Sequence, residues 1–449
     1  MSTLKGNKIP QGALKIIKTL KEKGYQSYLV GGCVRDLLLK IPVKEWDITT
    51  SAQPDKVSKL FKKVVPTGIE YGTVTAIVED GTYEVTTFRS DEKYIDGRHP
   101  ANVVFTDDIH KDLSRRDFTI NALAYDPEKD ELIDDFKGQN DLAKKLIRTV
   151  GDPVERFSED GLRSIRACRF AAKLEFEIEK KTLAAIPKTL AITKKVAPER
   201  IHDEIVKMLS AKEPSIGFEL MRKSGLLQII MPELEACYGI EQPLKFHKYD
   251  VYWHSLHSCD EAPRDSLVLR LAALLHDISK PPCKVDYTFY NHDKMGAATA
   301  EKILKRLKFS NNEIKKVPNL ISHHMFNYTS DWSDAAVRRF IRRIGGVENV
   351  SGLFALREAD TRAMEKEIDS GYLIELQKRI DKIVEEEHAL DVSDLKVDGK
   401  DIMKALNIPP GPKVGQVLHA LLEKVLDDPK LNEKEILLKL IKTYVQKSE

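Results

Sequence analysis

The chain is predicted to be an α+β protein, a mixed strand-and-helix head followed by a long all-helical remainder. Three observations predict this. Short β-branched runs such as "QSYLVGG", "EWDITTS" and "GTVTAIVEDGTYEVTTFR" are concentrated before residue 150. The last of these carries a hairpin signal, Asp80-Gly81, between two alternating runs. After Gly151-Asp152-Pro153 the apolar residues recur at helical spacing and β-branched runs become scarce.

Taken in order, "QSYLVGG" is a buried strand that stops at a glycine pair, "VRDLLLK" a short helix, and "EWDITTS" a second strand. "RRDFTINALAYDP" is a further strand or helix start, closed by Asp126-Pro127. Far downstream, Pro409, Pro410, Gly411 and Pro412 punctuate a last helical segment in which Val414, Val417, Leu418, Leu421, Leu422 and Val425 form an apolar stripe. No repeat of fixed period and no low-complexity segment is evident.

Composition narrows the function classes. At 42% hydrophobic and 32% charged residues the chain reads as soluble and globular. No run approaches the roughly 18 apolar residues that a membrane-crossing helix needs. Five cysteines without C-x-x-C spacing point to reduced thiols in the cytoplasm. A net charge of +2 leaves any nucleic-acid binding to local basic patches.

The chemistry-bearing residues lie in three groups. In the first, Gly31 and Gly32 end a strand and open a helix that carries Arg35. Glycine allows close backbone approach, and a helix start favours phosphate. Glu45 and Asp47 follow with strand spacing, which predicts both carboxylates on one face, with Trp46 turned into the core. Glu84 on the hairpin is a third acid within reach. Mutually repelling carboxylates beside a phosphate site suit Mg²⁺. Taken alone, a solvated acidic strand face accounts for such a pair equally well.

In the second group, Asp160, Arg163, Arg166 and Arg169 recur every three residues. On a helix this places neighbours in contact while the stripe drifts around the axis, so it could run along one ligand. A salt-bridged solvent face has the same spacing. In the third, His276-Asp277 ends an apolar helix in "LVLRLAALLHDISKP", flanked by His254, His292, His323 and His324, with Asp360 beyond. Imidazole and carboxylate together suit a divalent transition metal that activates water. A degenerate scaffold would keep the same residues. In the tail, Lys413 and the lysines interleaved with the apolar stripe suit contacts to an RNA backbone, or simply form a solvated face.

In the order "GGCVRDLLL…EWDITTSA", "EVTTFR", "DGRHP", "RRDFTINALAYDP", "EDGLRSIRACRFAAKL", the chain resembles the class II tRNA nucleotidyltransferases, which add CCA to tRNA 3′ ends, and the related bacterial poly(A) polymerases. The resemblance implies a polymerase-β-like head with a mixed sheet at 1–150, a helical neck at 151–235, a helical body at 236–390 and a tail touching tRNA at 391–449. It implies CTP and ATP as substrates and the tRNA 3′ end as acceptor. Mg²⁺ would be held by Glu45 and Asp47, with Glu84 beside them. Gly32, Arg35 and Arg116 would hold the triphosphate, and Asp160 and Arg163 would pair with the edge of the incoming base. The family has aspartate at the position of Glu45. Residues 89–114 resemble the flexible loop of full CCA-adding enzymes, which leans away from a CC-only activity. The histidine series resembles the HD phosphohydrolases and implies an additional metal site at His254, His276, Asp277, His324 and Asp360. An A-adding enzyme, a poly(A) polymerase and an HD phosphohydrolase with an RNA-binding head remain the alternatives.

Overall fold

In the computed structural model, which describes residues 4, 8–91, 103–243, 248–364, 371–386 and 391–446, the chain falls into two units, Met1–Glu235 and Ala236–Glu449.

In the first unit, helix α1 (Gln11–Glu22) precedes strand β1 (Ser27–Val30), helix α2 (Gly32–Leu39), strand β2 (Asp47–Thr50) and helix α3 (Pro54–Leu60). Strands β3 (Val64–Gly68), β4 (Thr73–Val78) and β5 (Gly81–Thr87) follow. A short ribbon of β6 (Arg89–Asp91) and β7 (Val103–Phe105) leads to helix α4 (Ile109–Ser114) and strands β8 (Ala124–Asp126) and β9 (Glu131–Ile133). The main sheet runs β3-β4-β5-β2-β1-β8-β9. Within it only β2 and β5 pair in parallel, Asp47 opposite Glu84 and Ile48 opposite Val85, so the sheet is mixed. The hairpin closes where Asp80-Gly81 marked it, with Val78 paired to Gly81. Leu29, Val34, Ile48, Val74 and Val85 fill the core beneath the sheet. Residues 92–102 of the anticipated flexible loop lie outside the described residues.

Helix α1 is anchored to the hairpin tip. The Gly12 N–H donates to Asp80 Oδ2 at 2.7 Å, and a Cβ on Gly12 would meet Val78 and Tyr83 side-chain atoms at 2.6 and 2.7 Å.

Helix α5 (Gly138–Ala143) leads to α6 (Pro153–Glu159) and α7 (Leu162–Leu174) of the neck. Pro153 sits at the first helical position, and Asp152 caps α6 by accepting from the Val154 and Glu155 N–H groups at 2.9 and 3.0 Å. Gly161, between α6 and α7, packs against backbone. A Cβ there would lie 2.7 Å from Thr193 N and Cα. Backbone cannot swing aside, so Gly161→Ala should cost about 1–3 kcal/mol of stability, measured as a lowered denaturation midpoint of the full chain.

The second unit is helical. Helices Val251–Glu261, Leu267–Leu275, His292–Arg306, Asn311–His323 and Val350–Ala363 form the body. In the tail, Val417, Leu421, Leu422 and Val425 of helix Pro412–Asp427 are buried against Ile402, Leu437 and Ile441, while Val414 and Leu418 of the same stripe are half-buried and Lys413 is exposed. Arg338 Nε donates to Leu426 O at 2.7 Å and ties the tail helix to Asp334–Arg343. No helix among the described residues is long and apolar enough to cross a membrane.

Candidate active site and metal centre

The head site is built at the start of α2. Gly31 has φ 75°, a backbone state glycine adopts at little cost. A Cβ on it would come 3.0 Å from Arg116 Nη1, so the missing side chain lets this guanidinium lie against the helix start. Arg116 is braced by Asp112, fully buried, which also holds Arg115, at N···O distances of 3.1 and 2.7 Å. Burial pushes the Asp112 carboxyl up, but Arg116 and Arg115 outweigh it and hold it below the usual range.

Asp47 faces this cradle. Burial, opposed by Arg116 and Arg35 but reinforced by Glu84 and Glu45, pushes its carboxyl up to about 6. The pairing of β2 with β5 sets Glu84 beside it. Glu45 is a different matter. It is exposed and precedes β2, which begins at Asp47, so strand alternation does not position it. Trp46 is half-buried, not in the core. Lys40 ends α2 in the left-handed region and Pro42 follows, residues 41–46 are irregular, and the strand starts only where pairing with β5 begins. Glu45, Asp47 and Glu84 do not form a preassembled trio of ligand atoms within 4.8 Å. A Mg²⁺ ion requires less, because one or two carboxylates suffice when phosphate oxygens complete the shell. A half-buried carboxylate with a raised proton affinity, two further acids and a phosphate cradle fit such an ion.

Arg35 is buried, and its fork is already engaged. Nη1 donates to Asn121 Oδ1 at 2.7 Å, Nε to Asp36 Oδ1 at 2.8 Å, and the guanidinium lies 5.2 Å from the centre of the Phe170 ring. It brackets α2 to the turn Thr119–Asn121 and to the neck.

The neck stripe is likewise partnered. Asp160 lies just before α7, not on it. It accepts from Leu162 N–H at 3.0 Å and is gripped by Arg200 at 2.7 and 3.2 Å. Arg163 pairs with Glu159 and donates to Arg115 O and Arg156 O, both at 3.0 Å. Arg166 pairs with Asp117 at 2.7 Å, and Arg169 with Glu204 at 2.5 Å, its guanidinium 3.7 Å from the Phe170 ring centre. Burial would raise the Asp117 carboxyl, but Arg166 and Asn121 hold it down to about 2. Asp112, Asp117, Asn121, Glu159, Arg200 and Glu204 escaped the sequence reading. Asp117, Arg200 and Glu204 engage arginines or an acid 35 to 49 residues away, which no local pattern shows, whereas Asp112 and Glu159 lie one helical turn from their arginines and were legible only as ordinary helix pairs.

In the body, His254, His276 and Asp360 bring one ligand atom each within 4.8 Å of one another, and so do Asp277, His292 and His324. Of the five residues read from the sequence, His254, His276 and Asp360 fall in the first group and His324 in the second, while Asp277 touches both, its Oδ2 also 3.8 Å from His254 Nε2. His254 Nε2 lies 2.9 Å from Asp360 Oδ1 and 3.3 Å from His276 Nε2. Asp277 divides the cluster: Oδ2 faces His276 at 3.2 Å, while Oδ1 faces His292 at 3.4 Å and His324 at 3.8 Å. His323 points elsewhere, its Nδ1 on Asn319 O at 2.8 Å. His276, His292 and His324 each donate Nδ1–H to the carbonyl of Ala273, Phe289 or Ile321, at 2.8, 2.6 and 2.7 Å. This fixes Nε2 as the nitrogen aimed inwards. Burial and the neighbouring His276 lower the His324 imidazole to about 4, so it is neutral with a free lone pair. Asp277 is fully buried, and neither of its oxygens completes a hydrogen bond of proper geometry, although the Lys280 ammonium stands 2.6 Å from Oδ2. Converging lone pairs and an under-satisfied buried carboxylate are what a divalent transition metal neutralises. His292 and Lys280 complete the cluster. His292 was visible in sequence as a neighbour, and Lys280 carried no signal.

Comparison with known proteins agrees with the head and neck. Residues 27–148 match the Poly A polymerase head domain, residues 175–238 the RNA and SrmB-binding site of polymerase A, and residues 289–441 tRNA nucleotidyltransferase domain 2. The chain is 33% identical to a CCA-adding enzyme of Enterococcus faecalis, over 97% of both chains. It is 34% identical to that of Ligilactobacillus salivarius, over 97% of this chain and 96% of the other. The fold superposes on the crystal structure of the Bacillus stearothermophilus CCA-adding enzyme in complex with CTP with a TM-score of 0.73 and 26% identity, over 98% of each chain. With the mixed-sheet head, the helical neck and full-length identity of this order, the chain belongs to the CCA-adding tRNA nucleotidyltransferase family.

Proposed function

We propose that this chain adds CMP, CMP and AMP, drawn from CTP and ATP, to tRNA 3′ ends without a nucleic-acid template, releasing pyrophosphate. The observation that carries this reading is the parallel pairing that sets Asp47 beside Glu84, facing the Gly31–Arg116 cradle. The start of α2 and Arg116 bind the triphosphate, and Arg35 keeps α2 in place. Asp47 and Glu84, with Glu45 at the rim, would hold a divalent ion, which would lower the pKa of the attacking 3′ hydroxyl and offset charge on the leaving pyrophosphate. Such a transfer proceeds by in-line attack of the tRNA oxygen on the α-phosphorus as the bond to the bridging oxygen breaks. Asp160 and Arg163 would offer the base edge the acceptor and donor positions that Arg200, Glu159 and the Arg115 and Arg156 carbonyls leave open. Arg200 and Glu159 keep that pair rigid, so selection depends on fixed geometry. All five cysteines are free thiols, which suits the cytoplasm in which tRNA is processed.

Extension of tRNA lacking CCA, with each nucleotide supplied alone and read at single-nucleotide resolution, tests this. Two C residues from CTP followed by one A from ATP are expected. A long A tail, or A addition only to tRNA already ending in CC, would overturn it. In the same assay Asp160→Ala is expected to lower kcat/KM for CTP about 10- to 100-fold and to admit UTP and GTP.

The body supports a second reading, carried by the fully buried Asp277 carboxylate among converging imidazoles: His254, His276, Asp277 and Asp360 would hold a transition-metal ion that would activate water against a phosphoester.

A further inference from the structure

Arg270 stands in the first turn of helix Leu267–Leu275 and is 3% exposed. Its Nε and Nη1 are buried and complete no hydrogen bond, and among the described residues no carboxylate pairs with it. A guanidinium keeps its charge, and burying that charge without a partner is strongly destabilising. The position adds to the problem. The first turn is the positive end of the helix dipole, which repels a cation and favours an anion.

The groups around the guanidinium are donors. Cys259, in the last turn of helix Val251–Glu261, is fully buried with its thiol against Arg270. Burial, with Asp260 adding to it, outweighs the guanidinium and pushes the thiol well up, so it keeps its proton and brings no charge. Ser255 and Ser258 share this helix, one a turn before Cys259 and the other next to it. Both are fully buried, and neither hydroxyl completes a hydrogen bond. Other helical serines of the chain behave differently: Ser58, Ser164 and Ser322 turn their hydroxyls back onto the carbonyls of Pro54, Gly161 and Asn319 at 2.8, 2.8 and 2.9 Å.

Two uncommitted guanidinium N–H groups, two hydroxyls and a thiol thus sit where two helices pack directly on each other. A water molecule there would satisfy some donors and leave the charge unbalanced. A carboxylate or phosphate would need room for several atoms between the helices. A single-atom monoanion needs neither extra room nor fixed directions, because it accepts from every side. We infer that this seam is a buried chloride site, in which Arg270 Nε and Nη1 carry the ion and the Ser255 and Ser258 hydroxyls and the Cys259 thiol complete its donor shell. The ion neutralises the guanidinium and answers the positive end of Leu267–Leu275, so the helix pair is tied by a salt ion where other buried arginines of the chain use a carboxylate. Stability of the body then depends on which anion is present, beyond ionic strength alone.

The test follows thermal unfolding of the full chain in potassium chloride, potassium bromide and potassium gluconate at equal ionic strength. Arg270→Met, Ser255→Ala and Ser258→Ala chains are run alongside, with circular dichroism confirming that each is folded. Expected are a melting temperature higher by about 3 °C or more in either halide, saturating as the halide is raised, and an anomalous peak within hydrogen-bonding reach of Arg270 Nε and Nη1 in crystals grown in bromide. Arg270→Met should melt alike in all three salts. Either serine variant should raise the half-saturating halide concentration about 3-fold or more. Should Arg270→Met not fold, the serine variants, which keep the guanidinium, and the bromide map decide the matter. Equal melting of the parent chain in halide and gluconate, a halide effect of full size in Arg270→Met, or only water at the seam in the bromide map overturns the site. A half-saturating concentration unchanged in both serine variants overturns the donor shell.

Discussion

Asp47→Asn is expected to abolish nucleotide addition, by at least about 100-fold, while making the metal-free protein more resistant to unfolding above neutral pH. Both effects have one cause. The Asp47 carboxyl is half-buried with Glu84 and Glu45 near it, and desolvation with these neighbours raises its pKa to about 6. At pH 8 the folded, metal-free protein must keep that group ionised against its surroundings, whereas the unfolded chain ionises it near its ordinary 3.8. A raised folded-state value means that stability is lost as pH rises through about 6 and is present below the unfolded value. Asparagine removes the burden. The difference in melting temperature between variant and parent should therefore be largest at pH 8 and shrink as the pH falls from 6 towards 4, where the parent carboxyl also carries a proton. Adding Mg²⁺ with CTP should raise the parent's melting temperature and leave the variant's unchanged. A variant less stable than its parent at pH 8 would assign Asp47 a structural role.

Glu204→Leu is expected to cost about 3–5 kcal/mol of unfolding free energy, read as a lower urea midpoint at unchanged slope. Glu204 is 2% exposed and is the carboxylate partner of Arg169, itself 5% exposed. Removing it leaves a buried guanidinium against the Phe170 face and takes a 3.5 Å partner from Arg166, which keeps Asp117. The paired replacement Arg169→Met with Glu204→Leu should recover most of the loss, since a buried ion pair replaced whole by apolar groups is close to neutral. Recovery marks the lower end of the neck stripe as scaffold. Failure to recover would show that Arg169 holds its place through something other than Glu204.

These two residues also show where sequence reasoning reaches its limit. The strands, the Asp80-Gly81 turn and the helix ending at His276 follow from local periodicity and turn chemistry, and each is present. The buried histidine and aspartate cluster of the body was nearly complete from residue type alone. What the sequence could not show is who neutralises whom. Arg35, Arg163, Arg166 and Arg169 read equally well as ligand-facing or as salt-bridged. The acids that engage Arg166 and Arg169, Asp117 and Glu204, sit on other elements brought in by tertiary packing. Glu45 failed for the opposite reason. Alternation holds only inside a strand, and where a strand begins depends on its partner, here β5.

The parallel pairing of β2 with β5 has a bearing on how the enzyme comes into being. Neighbouring parallel strands cannot be joined by a tight turn, so an entire crossover of helix and strands must be in place before Asp47 meets Glu84. Arg116 arrives from later still in the chain. During synthesis on the ribosome each of these groups is an ordinary solvated side chain with no special affinity for Mg²⁺. The emerging polypeptide thus has no grip on divalent ions or nucleotides until its N-terminal half is finished, and the ability to do chemistry is the last property the head acquires.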